Sequence, residues 1–144
     1  MTSQLLTAAG IQLGVTASSR EEAVRTCGKI LLELGAVEPN YVDAMWEREQ
    51  IFSSYIGEGV AIPHGTDQSR VSVNFAQLSL VRFQEPIDWD GESVSLAIGI
   101  ASKGSEHSDL LGGLAELLLD EARSNLLNTT QDKNVIVKLL QDLS

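Results

Sequence analysis

The chain has few of the features that mark secreted, membrane-spanning or nucleic-acid-binding proteins. Cys27 is the only cysteine among its 144 residues, so no disulfide can form within the chain and an oxidising compartment is not indicated. The longest apolar runs, such as residues 96–101, are far too short to cross a bilayer, and the first residues lack the pattern of a signal peptide. Ten basic residues against twenty acidic ones give a formal charge of −10, which argues against nucleic acid or anionic lipid as the main partner. We therefore expect a cytoplasmic protein without direct membrane insertion.

Sequence motifs for two common kinds of enzyme are also absent. The chain has neither a glycine-rich phosphate loop of the Walker or dinucleotide type nor the Gly-x-Ser-x-Gly motif of serine hydrolases. Its two histidines, His64 and His107, have no cysteines or clustered carboxylates at metal-ligand spacing around them. We therefore expect neither a cofactor nor a bound metal.

Apolar spacing predicts one α/β domain over residues 1–144, with a single mixed parallel/antiparallel sheet flanked by helices. A first helix starts at a capping box, either Ser18 with Glu21 or Ser19 with Glu22, and stops at Gly35. The further predicted helices are one starting near Pro39, a leucine-rich one over 110–118 and a last one capped by Thr129 and Asp132.

The predicted strands are short and buried. They include 11–15, 60–62 and 94–101, and a longer extended region over 71–82. Within that region the apolar alternation changes phase between 75 and 78, which predicts either a bulge or two sheet segments. Residues 86–91 are predicted to form a loop, and Cys27 lies on the buried stripe of the first helix, where a small core residue is expected.

The tripeptide Pro63-His64-Gly65 directly follows a predicted buried strand. Proline fixes its own φ and removes a backbone donor, and glycine leaves room for a bulky group to approach. The imidazole of His64 is therefore expected at the rim of the sheet, where it can meet a ligand or a partner. An ordinary turn histidine would have the same local sequence, so the tripeptide alone leaves both interpretations open.

His107 and Arg48 are weaker candidates from spacing alone. His107 lies in the first turn of the leucine-rich helix, where the helix dipole favours a neutral ring, and a semi-buried structural histidine is an equally good interpretation. Arg48 ends the second helix, and a guanidinium can bind phosphoryl oxygens with two parallel hydrogen bonds. It can equally be a solvated charge that pairs with Glu47 or Glu49.

Two runs, YVDAMWERE at 41–49 and SYIGEGVAIPHGT at 54–66, resemble the enzyme IIA component of the mannitol and fructose branch of the bacterial phosphotransferase system. The similarity extends to 18–35, to 97–101 and to Glu106-His107. It implies that His64 is the phosphorylated residue, that Arg48 and His107 match the active-site arginine and second histidine, and that Glu58 matches a carboxylate beside the site. Arg48, His107 and backbone N–H groups around 65–66 are then expected to bind the phosphoryl oxygens.

The same resemblance implies the partners. His64 would receive its phosphoryl group from the carrier protein HPr and pass it to a cysteine of a IIB domain, which phosphorylates the sugar as it enters through the membrane-bound IIC component. Mannitol is favoured over fructose as the sugar, and an apolar docking surface of modest size is expected around the site. Two alternatives are a nitrogen-regulatory relative that binds target proteins and a non-catalytic module in which His64 is a turn residue.

Overall fold

A mixed β-sheet forms the centre of the molecule. The computed structural model describes residues 5–104 and 106–141, and the side chains of all of these except 106–108. Within those residues the sheet has five strands: β1 (Ile11–Val15), β2 (Tyr55–Gly57), β3 (Val60–Ala61), β4 (Gln77–Trp89) and β5 (Glu92–Ala101). They lie in the order β1-β4-β5-β3-β2. Because β1 is parallel to β4 and β3 to β5, whereas β4–β5 and β2–β3 are antiparallel, the predicted mixed sheet is confirmed.

Helices cover both faces of this sheet. One face carries α1 (Arg20–Glu33) and α2 (Asn40–Ile51), and the other carries α3 (Glu106–Leu119), α4 (Glu121–Thr129) and α5 (Lys133–Gln141). Strand β5 supplies alternate side chains to the two cores, with Ala97 and Ala101 facing α1 and α2, and Leu96, Ile98 and Ile100 facing the other three helices. This explains why the strand is continuously apolar in sequence.

The limits of α1 follow from its end residues, as predicted. Of the two possible capping boxes the second is used, because the side chain of Ser19 accepts a hydrogen bond from the backbone N–H of Glu22. Gly35 follows the helix with a φ of +79°, the left-handed conformation that glycine adopts most easily. The chain can therefore turn directly from α1 towards α2.

Cys27 lies under the centre of the sheet, on the α1 side. Its side chain is fully buried, with Sγ 3.9 Å from the carbonyl oxygen of Ala97. Burial raises the pKa of the thiol to about 12, so it stays protonated at neutral pH. The interpretation as a small core residue is confirmed.

The region between β3 and β5 differs from the prediction in two places. Residues Asp67–Ser72 form a 3-10 helix, called here the 3-10 segment, and the alternating pattern at 71–75 is not a strand. The change of phase in the apolar alternation between 75 and 78 therefore marks the point where the 3-10 segment ends and β4 begins. The predicted loop at 86–91 is also wrong, because β4 continues to Trp89 and turns into β5 through Asp90 and Gly91, with φ of 56° and 94°.

Two helices follow α3, where one was predicted. Helix α4 begins after Asp120, whose side chain accepts a hydrogen bond from the backbone N–H of Arg123, and it buries Leu127. It was missed because so little of its surface is apolar that the spacing carries no clear period. In the part of the chain that the structure describes, no helix is long and apolar enough to span a membrane.

Candidate functional site

His64 lies where the chain leaves the sheet. It follows β3 and forms an isolated parallel bridge with Ile100 near the end of β5. The backbone N–H of Ile100 donates to the carbonyl oxygen of Pro63 at 2.9 Å, which ties down the residue before the histidine. The His64 side chain is half-buried, so the predicted position at the rim of the sheet is the one observed.

A hydrogen bond fixes the tautomer of the His64 ring. Its Nδ1 lies 2.9 Å from the carbonyl oxygen of Ile62, two residues earlier. A carbonyl can only accept, so Nδ1 carries the proton in the neutral ring and the lone pair is on Nε2. The structure thus provides a neutral imidazole with Nε2 as its nucleophilic atom.

The surroundings of the ring keep it neutral. Burial is the main cause and lowers the pKa of His64 below the ordinary 6.5, and the positive charges of Arg48 and Arg70 lower it further. The bond to Ile62 and the negative charge of Glu49 oppose this shift without cancelling it. At neutral pH the ring is therefore ready to attack an electrophile.

Gly65, the next residue, is packed against a buried tyrosine. Its backbone N–H donates to the hydroxyl of Tyr41 at 2.9 Å. A Cβ built on Gly65 would lie 2.5 Å from Cε1 of Tyr41 and would also collide with Oγ of Ser69, so only glycine fits. Because its N–H is already used, Gly65 is not one of the backbone donors expected for phosphoryl oxygens.

Arg48 lies in the last turn of α2, close enough to His64 for its charge to lower the pKa of the ring. Its Nη1 donates to the carbonyl oxygen of Phe52 at 2.9 Å, and its guanidinium lies 5.3 Å from the centre of the Phe52 ring. This half-buried arginine is held by the chain after α2. The pairing with Glu47 or Glu49 that the sequence left open does not occur.

Arg70 is a second cation near His64 that the sequence reasoning missed. It lies in the 3-10 segment, and its charge lowers the pKa of both His64 and Tyr41. Its Nη2 pairs with Oδ1 of Asp67 at 3.3 Å, but that carboxylate side chain is 93% exposed, so the pair is weak and easily exchanged. The only sequence signal was a basic residue six positions after the histidine.

Glu49 is the buried carboxylate of the site, and it was missed as well. It is 2% exposed and accepts three hydrogen bonds, from the backbone N–H of Ser54 at 2.8 Å, from Oγ of Ser54 at 2.5 Å and from Nε1 of Trp89 at 2.9 Å. These bonds connect the end of α2 to the residue before β2 and to the end of β4. Glu49 thereby fixes the position of its neighbour Arg48.

Exposed apolar side chains flank the site. Ile51 and Phe52 at the end of α2 are 61% and 65% exposed, and Val71 in the 3-10 segment is 90% exposed. The two elements pack against each other. These three side chains are candidates for the modest apolar docking surface predicted for a transient partner, and they are called the docking residues below.

Glu58 does not lie beside His64. It is exposed in the turn between β2 and β3, whereas His64 follows the other end of β3. Val60 pairs with Leu96 and His64 with Ile100, so the two ends are separated by about 13 Å of strand. Glu58 instead borders a cavity of about 490 Å³ together with Leu118 and residues of α4.

His107 lies in the first turn of α3, which begins soon after the end of β5. Since His64 pairs with Ile100 near the same strand end, the backbone of His107 is at the same edge of the sheet. The side chain of His107 lies outside the described residues. Its predicted role beside His64 stays a prediction.

Known proteins share both this fold and the surrounding sequence. Residues 4–143 match the family described as phosphoenolpyruvate-dependent sugar phosphotransferase system, EIIA 2. The mannitol-specific phosphotransferase enzyme IIA component of Halalkalibacterium halodurans is 38% identical over 144 residues, covering 100% of this chain and 99% of the relative. The mannitol-specific EIICBA component of Pasteurella multocida is 36% identical, covering 97% of this chain and 23% of that longer protein.

A solved structure agrees with these relatives. It is the complex of enzyme IIA and phosphorylated enzyme IIB for mannitol from Escherichia coli, which matches with a TM-score of 0.86 and 34% identity, over 94% of this chain and 98% of that chain. Sequence and fold thus agree over almost the whole length. The chain belongs to the EIIA 2 family of the phosphoenolpyruvate-dependent sugar phosphotransferase system, the family that its motifs resemble.

Proposed function

We propose that His64 carries the phosphoryl group and that Nε2 is the atom that binds it. The observation that carries the proposal is the hydrogen bond from Nδ1 to the carbonyl oxygen of Ile62, which leaves the lone pair on Nε2. The ring is half-buried at the edge of the sheet with two arginines nearby. These features together supply a neutral nucleophile in a setting that favours negative charge.

The chemical step is an exchange of one phosphorus–nitrogen bond for another. Nε2 of His64 attacks the phosphorus of a phosphohistidine on the donor protein, and the electron pair of the breaking bond returns to the donor ring. As the new bond forms, positive charge develops on the His64 ring, and the Ile62 carbonyl stabilises it through the proton on Nδ1. Because similar bonds are broken and formed, the transfer is close to balanced and reversible.

Positive side chains bind the oxygens of the group in transit. Arg48 is the first of these, because it is held by Phe52 and its charge acts on the ring. Arg70 adds a second positive charge that can leave the exposed Asp67 for a phosphoryl group. His107 is the third proposed group, at the same edge of the sheet. We do not include Glu58 among them, because it lies in the turn before β3, whereas His64 follows the other end of that strand.

We infer that the donor is HPr and that the acceptor is a cysteine of a IIB domain, which in turn serves a membrane-bound IIC component. The names of the relatives support IIB, IIC and mannitol. Fructose stays the second choice of sugar, on the resemblance alone. The docking residues Ile51, Phe52 and Val71 offer the apolar contact that both partners need in turn. We place this exchange in the cytoplasm.

A transfer assay tests the proposal. Phosphorylated HPr carrying a radioactive phosphoryl group should label the wild-type chain with an acid-labile bond, and His64→Ala should take up no label. Label that persists in this variant would remove His64 from its role. A mannitol IIB domain added next should take the label from the wild type, whereas label that no sugar-specific IIB accepts would point to a regulatory relative.

A further inference from the structure

The pairing between β3 and β5 continues in the same register beyond the end of β3. Val60 pairs with Leu96, Ala61 with Ala97 and His64 with Ile100. In a parallel ladder, Ile100 should donate to the residue before His64 and accept from the residue after it. The first bond is present, since the N–H of Ile100 donates to Pro63 at 2.9 Å.

The second bond of this rung runs through a side chain. The N–H of Gly65 donates to the hydroxyl oxygen of Tyr41 at 2.9 Å, and the same hydroxyl donates to the carbonyl oxygen of Ile100 at 2.8 Å. The hydroxyl of Tyr41 is thus inserted where the chain moves away from the sheet. It uses both its donor and one of its acceptor positions, which requires a protonated hydroxyl.

We propose that Tyr41 is a positioning residue for phosphoryl transfer, because its hydroxyl completes the last rung of the ladder and holds the backbone of His64 in place. This inference rests on the proposed role of His64. The residue before His64 is bound directly to Ile100 and the residue after it is bound through Tyr41, so the backbone on both sides of the ring is fixed to β5. The orientation of the ring follows from that backbone and from its bond to Ile62.

The surroundings of Tyr41 fit this role. Its side chain is 3% exposed, and its ring fills the space beside Gly65 that any larger residue would need. Burial raises the pKa of Tyr41, which keeps the hydroxyl protonated and able to donate to Ile100. The bond pattern is therefore stable over the whole physiological pH range.

Tyr41 also connects His64 to Arg48. Both Tyr41 and Arg48 belong to α2, seven residues apart, which is two helical turns and places them on the same side of the helix. The first turn of α2 holds the backbone at His64, and its last turn carries the arginine. The helix thus sets the distance between the nucleophile and the cation, and the hydroxyl of Tyr41 is the contact through which it does so.

The test compares Tyr41→Phe with Tyr55→Phe, the same change at the only other tyrosine, which is half-buried on β2. Tyr41→Phe keeps the ring beside Gly65 and removes only the hydroxyl. We expect its maximal rate of phosphoryl transfer to fall about tenfold, because the nucleophile is less well placed. The concentration of phosphorylated HPr at half-maximal rate should be unchanged, because the docking residues are intact, and Tyr55→Phe should match the wild type.

A second control separates positioning from loss of stability. Ser79→Ala removes another buried hydroxyl that donates to a carbonyl, that of Cys27 at 3.0 Å, on the same side of the sheet. It should lower the melting temperature by an amount comparable to Tyr41→Phe while leaving the transfer rate unchanged. Equal transfer rates for Tyr41→Phe and Tyr55→Phe, or an equal loss in Ser79→Ala, would overturn the role of Tyr41. Label in His64→Ala would instead overturn the proposed function itself.

Discussion

The two ends of strand β3 carry similar short motifs in different surroundings. At its start, Gly57-Glu58-Gly59 forms an exposed turn in which the three residues have φ of 101°, 56° and 75°. At its end, Pro63-His64-Gly65 is bound to β5 and to Tyr41. Glycine allows the turn in the first case, whereas in the second it makes room for a buried ring.

This difference shows that a reactive side chain forms a functional site only when residues from other parts of the chain surround it. Glu58 and His64 both lie next to glycine within one run of sequence, residues 54–66, and both can act on protons or phosphorus. His64 is subject to the charges of two arginines from distant elements, one in α2 and one in the 3-10 segment, and the hydroxyl of Tyr41 binds the backbone of its neighbour Gly65. The two ends of β3 should therefore differ in function.

The largest expected difference is between the nucleophile and the carboxylate. His64→Ala should reduce phosphoryl uptake to background, because it removes the proposed nucleophile, while Glu58→Ala should change the rate less than about twofold, the range of an exposed residue away from the reaction. Both variants should be followed in the HPr transfer assay. A loss above tenfold in Glu58→Ala would contradict the contrast between the two ends.

Removing a positive side chain near each end of β3 should lower the rate of phosphoryl transfer by unequal amounts. Arg48→Ala should slow transfer by on the order of tenfold to a thousandfold, because one charged donor to the phosphoryl oxygens is lost. Its matched control is Arg123→Ala in α4, near the Glu58 end, where the arginine pairs with Asp120 at 3.1 Å. Single-turnover rates measure both, and an Arg48→Ala rate equal to that of the control would return Arg48 to an ordinary surface charge.

The buried carboxylate should matter for stability. Glu49→Ala leaves the indole N–H of Trp89 and two donors of Ser54 without an acceptor, so the free energy of unfolding should fall by about 3 kcal/mol. Glu121→Ala, at the exposed start of α4, is the control and should cost far less. Urea unfolding measures both variants, and similar midpoints would show that the Glu49 network is not stabilising.

The smallest effect is a shift in titration. Nuclear magnetic resonance should show His64 titrating below 6.5, because burial and the two arginines disfavour the cation. Between that lowered pKa and 6.5 the unfolded chain binds more protons, so the His64 contribution to stability should be lost as pH falls through this window. Arg70→Ala should raise the pKa of His64, and an unchanged value would remove Arg70 from the site.

Local sequence was sufficient for the features that depend on neighbours in the chain. The start of α1 at Ser19, its end at Gly35 and the strand before His64 follow from capping and periodicity, and the mixed sheet and the family are confirmed. The strand alternation at 71–75 was misleading, because apolar residues two apart also suit an irregular segment with one side exposed. The resemblance predicts that Glu58 lies beside the site, whereas the structure places it at the other end of β3 from His64. Sequence similarity alone does not give that position.

The remaining site residues depend on contacts between distant parts of the chain. Tyr41 meets Gly65 and Ile100, and Glu49 meets Trp89, only after the sheet and α2 have packed together. In sequence each looked like an ordinary residue of a helix. Such residues become predictable only when the packing of the elements is known.

The buried position of Cys27 has a practical consequence for observing this protein at work. Because its only thiol is enclosed by α1 and the sheet and stays protonated, a maleimide dye should leave the native chain unmodified. A cysteine introduced for Val71, which is 90% exposed, would then be the single reactive position. A fluorophore attached there would report each arrival and departure of a carrier protein in real time, without removal of the natural cysteine.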